Sequence, residues 1–145
     1  MKNILQRIKE GFTLVEILVV VVIIGILAAI AIPTYFNLTK NTYAKEAEIQ
    51  IKNMVKSAGQ YKLDRGELPP DCWETMKESG HIEIKTATIE KWEFECSWQW
   101  DDTDGIYGTV SATSTDENNA GAGNMVEYDI EYEDFTGYGQ GEAGN

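Results

Sequence analysis

The sequence predicts an α+β protein, in which a long N-terminal helix, bent once, is packed by a small antiparallel β-sheet. Three observations carry this prediction. Every residue from Ile17 to Ile32 is apolar or glycine. Apolar residues then recur in steps of three and four at Ala44, Ala47, Ile51, Met54 or Val55, Ala58 and Tyr61, which is one stripe on a helical face. Further on, Trp92, Phe94, Cys96, Trp98 and Trp100 alternate with Glu93, Glu95, Ser97 and Gln99, the period of a strand with one buried face.

The apolar run extends back to Phe12, broken only by Thr13 and Glu16. It spans 21 residues from Phe12 to Ile32, and ~20 apolar helical residues cross a bilayer core. Lipid offers backbone groups no partner, so the run is expected to be helical. Twelve Val, Ile and Leu residues lie between Ile17 and Ile32, and together they favour insertion by roughly 4–7 kcal/mol. A carboxylate at the membrane centre costs ~3 kcal/mol on the same scale, and less near an end. Insertion survives Glu16, but a carboxylate in such a run calls for a cationic partner. No Lys or Arg occurs between Gly11 and Lys40. The partner must come from a chain terminus, a lipid headgroup or another molecule.

The preceding residues suggest which. Met1 to Glu10 carries Lys2, Arg7 and Lys9 against one acid. A secretory signal would place a small-residue cleavage site after a short apolar core. Here Gly11-Phe12 stands before a core too long for that role. A cut after Gly11 would create an amino group on Phe12, one helical turn from Glu16. The segment Gly11-Phe12-Thr13-Leu14-Val15-Glu16, the apolar run and Ala31-Ile32-Pro33-Thr34-Tyr35 closely resemble the N-terminus of type IV prepilins and pseudopilins. The resemblance implies a type IV pilin-like fold, a membrane prepilin peptidase that cuts between Gly11 and Phe12, and N-methylation of Phe12. It also implies a helical homo-oligomeric filament in which Glu16 meets the Phe12 amino group of an adjacent subunit, built by a pilus assembly platform and motor.

Pro33 is expected to kink the helix rather than end it, because helical patterning resumes beyond it. One helix from about Phe12 to Leu63 would be roughly 75 Å long. Gly66 then reads as a C-cap, and Pro69-Pro70 forbids continuation. Pro70 to Ser79 reads as a short helix and Ile82 to Lys85 as a short strand. Trp92 to Trp100 and Ile106 to Thr113 read as strands joined by a turn at Asp101 to Gly105. Ser114 to Asn124 reads as a mobile loop. Met125 to Tyr132 alternates again, with Glu127, Asp129, Glu131, Glu133 and Asp134 as a solvated face, and the tail from Gly137 reads as frayed. Three such strands make a meander with one apolar face, and the Ala44–Tyr61 stripe is its partner. The expected organisation is a cleaved leader over 1–11, a membrane and assembly helix over 12–35, its amphipathic continuation over 36–66, and an acidic headgroup over 67–145.

Charge separates along the same lines. Residues 1–63 hold 8 Lys and Arg against 4 acids, and residues 64–145 hold 4 against 20, giving the net −12. The basic leader favours a cytoplasmic N-terminus, with the acidic remainder outside, and the resemblance implies that this remainder ends in a cell-surface filament. An oxidising compartment suits the two cysteines, Cys72 and Cys96, as one disulfide. It would close about 25 residues and stabilise a small domain by roughly 3 kcal/mol. Nucleic acid is disfavoured as a partner by the acidic domain. An enzyme is disfavoured too: His81 is the only histidine and has no nucleophile motif beside it, and no phosphate loop or zinc spacing is present. No cofactor or metal is expected. Asp102-Thr103-Asp104-Gly105 faintly resembles a calcium loop, but Trp100 and Ser111 stand where that motif needs acids. Trp92, Trp98 and Trp100 read as core rather than a binding platform.

The reading is a major pilin of a type IV pilus-like filament, with a type II secretion pseudopilin and a minor tip adhesin as alternatives. Tyr61 to Pro69 is similar to the corresponding segment of major pseudopilins. Those typically carry a calcium site near the C-terminus, and the cysteine pair fits pilins better.

Overall fold

The computed structural model describes residues 11–140. The leader expected over residues 1–11 therefore lies, apart from Gly11, outside the described residues. The chain divides into two units, Met1–Phe36 and Asn37–Asn145. The first helix, α1 (Leu14–Arg65), runs through the boundary between them.

In the first unit the helix is apolar on every side, and none of its most apolar window is buried. Side chains all round it, from Val15 through Val22 to Ile32, remain half exposed or more. Such a helix belongs in lipid or inside a larger assembly. Pro33 lies within α1. It has no N–H to give the Ala29 carbonyl one turn earlier. One residue on, the Thr34 hydroxyl donates to the Ile30 carbonyl at 3.0 Å.

The second unit is built on the far part of α1. Its buried residues are Ala44, Ala47, Glu48, Ile51, Met54, Ala58 and Tyr61, the predicted stripe with one addition, Glu48. Two short helices follow, α2 (Glu74–Glu78) and α3 (Thr86–Lys91). Then come β1 (Trp92–Asp101), β2 (Gly105–Ser114), β3 (Met125–Asp129) and β4 (Asp134–Gly137), in one antiparallel sheet of order β1-β2-β3-β4. Along β1 every second residue is exposed, so Trp92, Phe94, Cys96, Trp98 and Trp100 share the inner face. Ala44, Ala47 and Ile51 pack there with Trp92, Val110, Ala112, Val126 and Tyr128. Burying Ile51 contributes about 1.5–3 kcal/mol. Further along α1, Met54, Ala58 and Tyr61 pack with Cys72, Met76, Ile82 and Ile84. Cys72 and Cys96 are bonded, with Cα atoms 5.5 Å apart.

Four readings need correction. The sheet has four strands, not three: β3 stops at Asp129, and Asp134–Gly137 returns beside it with Thr136 opposite Glu127 and Phe135 opposite Tyr128. Residues 138–140 are held rather than frayed, since Tyr138 N–H donates to the Met125 carbonyl at 2.8 Å and Gln140 Nε2 to Glu48 Oε1 at 2.9 Å; the rest of the expected tail lies outside the described residues. Ile82 to Lys85 is not a strand. It is an extended lead-in to α3 that buries Ile82 and Ile84. Ser114 to Asn124 is tied down by side chains: Ser114 Oγ accepts from Asn124 N–H at 2.9 Å, and Asn118, almost fully buried, donates to the Lys91 carbonyl at 3.2 Å.

Candidate assembly site

The residues singled out at the N-terminus lie within one helical turn. Thr13 precedes α1, and Glu16 stands three residues on. Glu16 Oε2 accepts the Thr13 backbone N–H at 2.8 Å and the Thr13 hydroxyl at 2.9 Å. In return, Glu16 N–H donates to Thr13 Oγ at 3.2 Å. This is a capping box: each side chain satisfies a backbone donor that the first helical turn leaves open. The carboxylate also lies at the positive end of the helix dipole.

Sequence reasoning assigned Glu16 a cation from outside the helix and missed this internal partner, although the Thr-x-x-Glu spacing announces it. The box occupies one oxygen only. Glu16 Oε1 accepts no hydrogen bond among the described residues, so the carboxylate keeps an open position for a cation. Gly11 and Phe12 are fully accessible, with Phe12 84 % exposed.

The other sequence candidates lie in the headgroup. In the Asp101–Gly105 turn, Asp101 Oδ1 accepts the N–H groups of Thr103 at 2.7 Å and Asp104 at 3.2 Å. The Thr103 bond, then the Asp104 bond, hold the Asp101 carboxyl below its ordinary pKa. This carboxylate closes a turn. Among the described residues no group of three or more His, Cys, Asp or Glu is placed to hold a metal ion. Trp98 donates to the Pro69 carbonyl at 3.4 Å, and Trp100 to Asp102 at 3.1 Å with the Lys62 ammonium 5.8 Å from its ring. Both rings are therefore used in holding the headgroup together.

His81 has partners that the sequence did not suggest. Its Nε2 is 2.9 Å from Asp64 Oδ2, its Nδ1 is 2.9 Å from Ser79 Oγ, and its ring packs edge-on against Tyr61. Serine, histidine and carboxylate in a row are the parts of a hydrolytic triad. Here the Ser79 hydroxyl sits against the Thr75 and Met76 carbonyls at the end of α2, which would repel an oxyanion. The arrangement is a clasp between α1 and the segment after α2.

The prokaryotic N-terminal methylation motif matches residues 6–32. That motif, and the similarities that follow, relate the chain to type IV pilins and to a type II secretion system core protein. It is 35% identical over 65 residues to a fimbrial protein of Neisseria meningitidis serogroup B, an alignment covering 45% of this chain and 38% of that protein. It is 34% identical over 91 residues to the type IV major pilin protein PilE1 of Neisseria gonorrhoeae, covering 63% and 51%. It is also 41% identical over 64 residues to the type II secretion system core protein G of Pseudomonas aeruginosa, covering 44% and 45%. The chain thus spans about half the length, or less, of these relatives. No solved structure matches it. The described residues of the motif are those that carry the capping box and the exposed apolar helix.

Proposed function

We propose that the protein is the major subunit of a type IV pilus-like filament. It is made as a membrane-anchored precursor, held by the apolar helix over residues 12–35 with its basic leader in the cytoplasm. A prepilin peptidase removes residues 1–11 by cutting between Gly11 and Phe12, and Phe12 is N-methylated. The helix, bent at Pro33, then leaves lipid for the core of a helical polymer, passed on by an assembly platform and motor. The acidic headgroup over 67–145, carried on the amphipathic continuation over 36–66, faces outward at the cell surface.

The observation that carries this reading is Glu16: a carboxylate kept on an all-round apolar helix, held by Thr13 through one oxygen with the other open. In a polymer core an unpaired carboxylate would cost several kcal/mol, and pairing it with the Phe12 ammonium of an adjacent subunit offsets that cost. The bond also fixes axial register. Glu16→Gln should keep the Thr13 contacts, membrane insertion and cleavage, because an amide oxygen still accepts. It removes the charge that the ammonium needs, so sheared filaments should be lost while the processed subunit accumulates in the membrane. Normal filament yield from that variant would reject the role given to Glu16.

A second reading has its own support. The identity to the secretion system core protein, 41% over 64 residues, is higher than the 34–35% of the pilin alignments given above. As a pseudopilin the processed subunit would stay in the envelope, and no long surface filaments would be sheared from cells.

A further inference from the structure

The headgroup unit presents two exposed surfaces of opposite charge on opposite sides. The first is the outer face of the sheet. In register, Glu95 stands opposite Ser111, and Ser111 opposite Glu127, so a carboxylate, a hydroxyl and a carboxylate lie in one row across β1, β2 and β3. Glu93 precedes Glu95 on the same face, and together these groups line a cleft of about 920 Å³. None of the three carboxylates has a hydrogen bond or ion pair among the described residues. The row therefore has no counter-charge among the described residues.

The second surface is the side of α1 turned away from the sheet. The buried stripe from Ala44 to Tyr61 faces the core, and Ile49, Lys56 and Leu63 form the outward stripe at helical spacing, with exposed Lys52 at its edge, where its ammonium lies 5.3 Å from the Phe135 ring and 6.0 Å from the Tyr128 ring. Ile49 and Leu63 are 57 % and 72 % exposed, two aliphatic side chains left in water on a cationic helix face. The headgroup's part of α1, residues 37–65, carries six Lys and Arg against three acids, in a chain whose net charge is −12. Lys56 has no partner among the described residues.

We propose that these two surfaces are the two halves of one interface, with the acidic sheet face of one copy receiving the Lys52–Lys56 helix face of a second copy. The inference rests on the filament reading above and adds to it which headgroup surfaces meet. Two different patches on opposite sides of a subunit cannot close into a two-fold dimer. They join copies head to tail, which is the contact that propagates a polymer. Lysine ammonium groups neutralise the carboxylate row, and Ile49 and Leu63 leave water against the neighbour. Complementary charge sets the orientation of the contact more than its strength.

Charge-reversal variants of the full chain, expressed in the cells that assemble it, test this. Glu95→Lys with Glu127→Lys should leave membrane level, processing and the Cys72–Cys96 bond unchanged, yet lose sheared filaments. Lys52→Glu with Lys56→Glu should do the same, and all four substitutions together should restore filaments. Lys56→Glu alone serves as the helix-side variant if the loss of Lys52, which stacks 5.3 Å from the Phe135 ring, lowers the subunit level. Wild-type filaments alongside normal filaments from the sheet-face variant overturn this inference and leave the filament reading intact. Loss in both single-sided variants without restoration overturns the pairing. Absence of filaments from the wild type overturns the filament reading, and the interface with it.

Discussion

Removing the Cys72–Cys96 bond should destabilise the headgroup by a calculable amount. The two residues are 24 apart in sequence, and closing a loop of that length removes about 3.5 kcal/mol of chain entropy from the unfolded state. Cys72 is also nearly buried, in the cluster of Met54, Ala58, Tyr61, Met76 and Ile82. Its bond fastens the segment between α1 and α2 to the middle of β1. Cys72→Ala with Cys96→Ala should therefore lower the midpoint of thermal unfolding by about 12–16 °C for a domain of this size. The assay is tryptophan fluorescence of the full chain in detergent, since Trp73, Trp92, Trp98 and Trp100 lie on the elements that the bond joins or on β1 itself. A fall of less than about 3 °C would show that burial of Met76, Ile82 and Ile84 holds this segment without the bond, and would refute the assignment of loop closure as its main support.

Two further outcomes are expected. At Gly139 φ is +74°, and an added Cβ would lie 2.5 Å from Ala44 Cβ and 2.9 Å from the Lys40 carbonyl oxygen. Gly139→Ala should therefore release the tail from α1 and cost about 1–3 kcal/mol in urea unfolding, and an unchanged midpoint would contradict the packing described for Tyr138–Gln140. Tyr128 and Tyr138 have raised pKa values, the first through burial and then the Glu133 and Asp129 carboxylates, the second through burial and then Tyr43. A raised folded value means stability that is full below the unfolded pKa of about 10 and lost as pH rises through the folded value. Unfolding midpoints should fall above pH ~10, and the pair Tyr128→Phe and Tyr138→Phe should flatten that fall. An equal fall in the variant would assign it to other groups.

Much of this architecture was legible because it depends on periodicity. The stripe from Ala44 to Tyr61 and the alternation from Trp92 to Trp100 each repeat often enough to specify one inward face, and the structure buries the helical stripe and Trp92 and half-buries the other alternating residues of β1. β4 was hidden because its turn carries none of the usual signals. Glu133 takes a φ of 53° where glycine would be expected, and Asp129 Oδ1 closes the turn by accepting the N–H groups of Glu131 and Tyr132. The acids there read as one solvated strand, although they mark a reversal. Glu48 was not part of the predicted stripe. Its carboxylate is buried against Lys45 at 2.6 Å and Gln140 at 2.9 Å, the latter 92 residues away and invisible to local pattern. Ser114 to Asn124 has the composition of a mobile loop, but Ser, Thr and Asn can also replace missing backbone partners, and Thr115 Oγ1 does so by donating to the Glu90 carbonyl. At the N-terminus the motif was plain, yet the capping box was overlooked because the search was for a cation. Thr13 and Glu16 satisfy each other before any neighbour arrives.

The central claim is that this chain is processed between Gly11 and Phe12 and polymerised through its N-terminal helix. Electron microscopy of sheared surface material, with N-terminal mass spectrometry of its principal protein, tests it most directly. The account predicts long filaments whose subunit begins at N-methylated Phe12. A chain still carrying its leader, with no filaments, would contradict it.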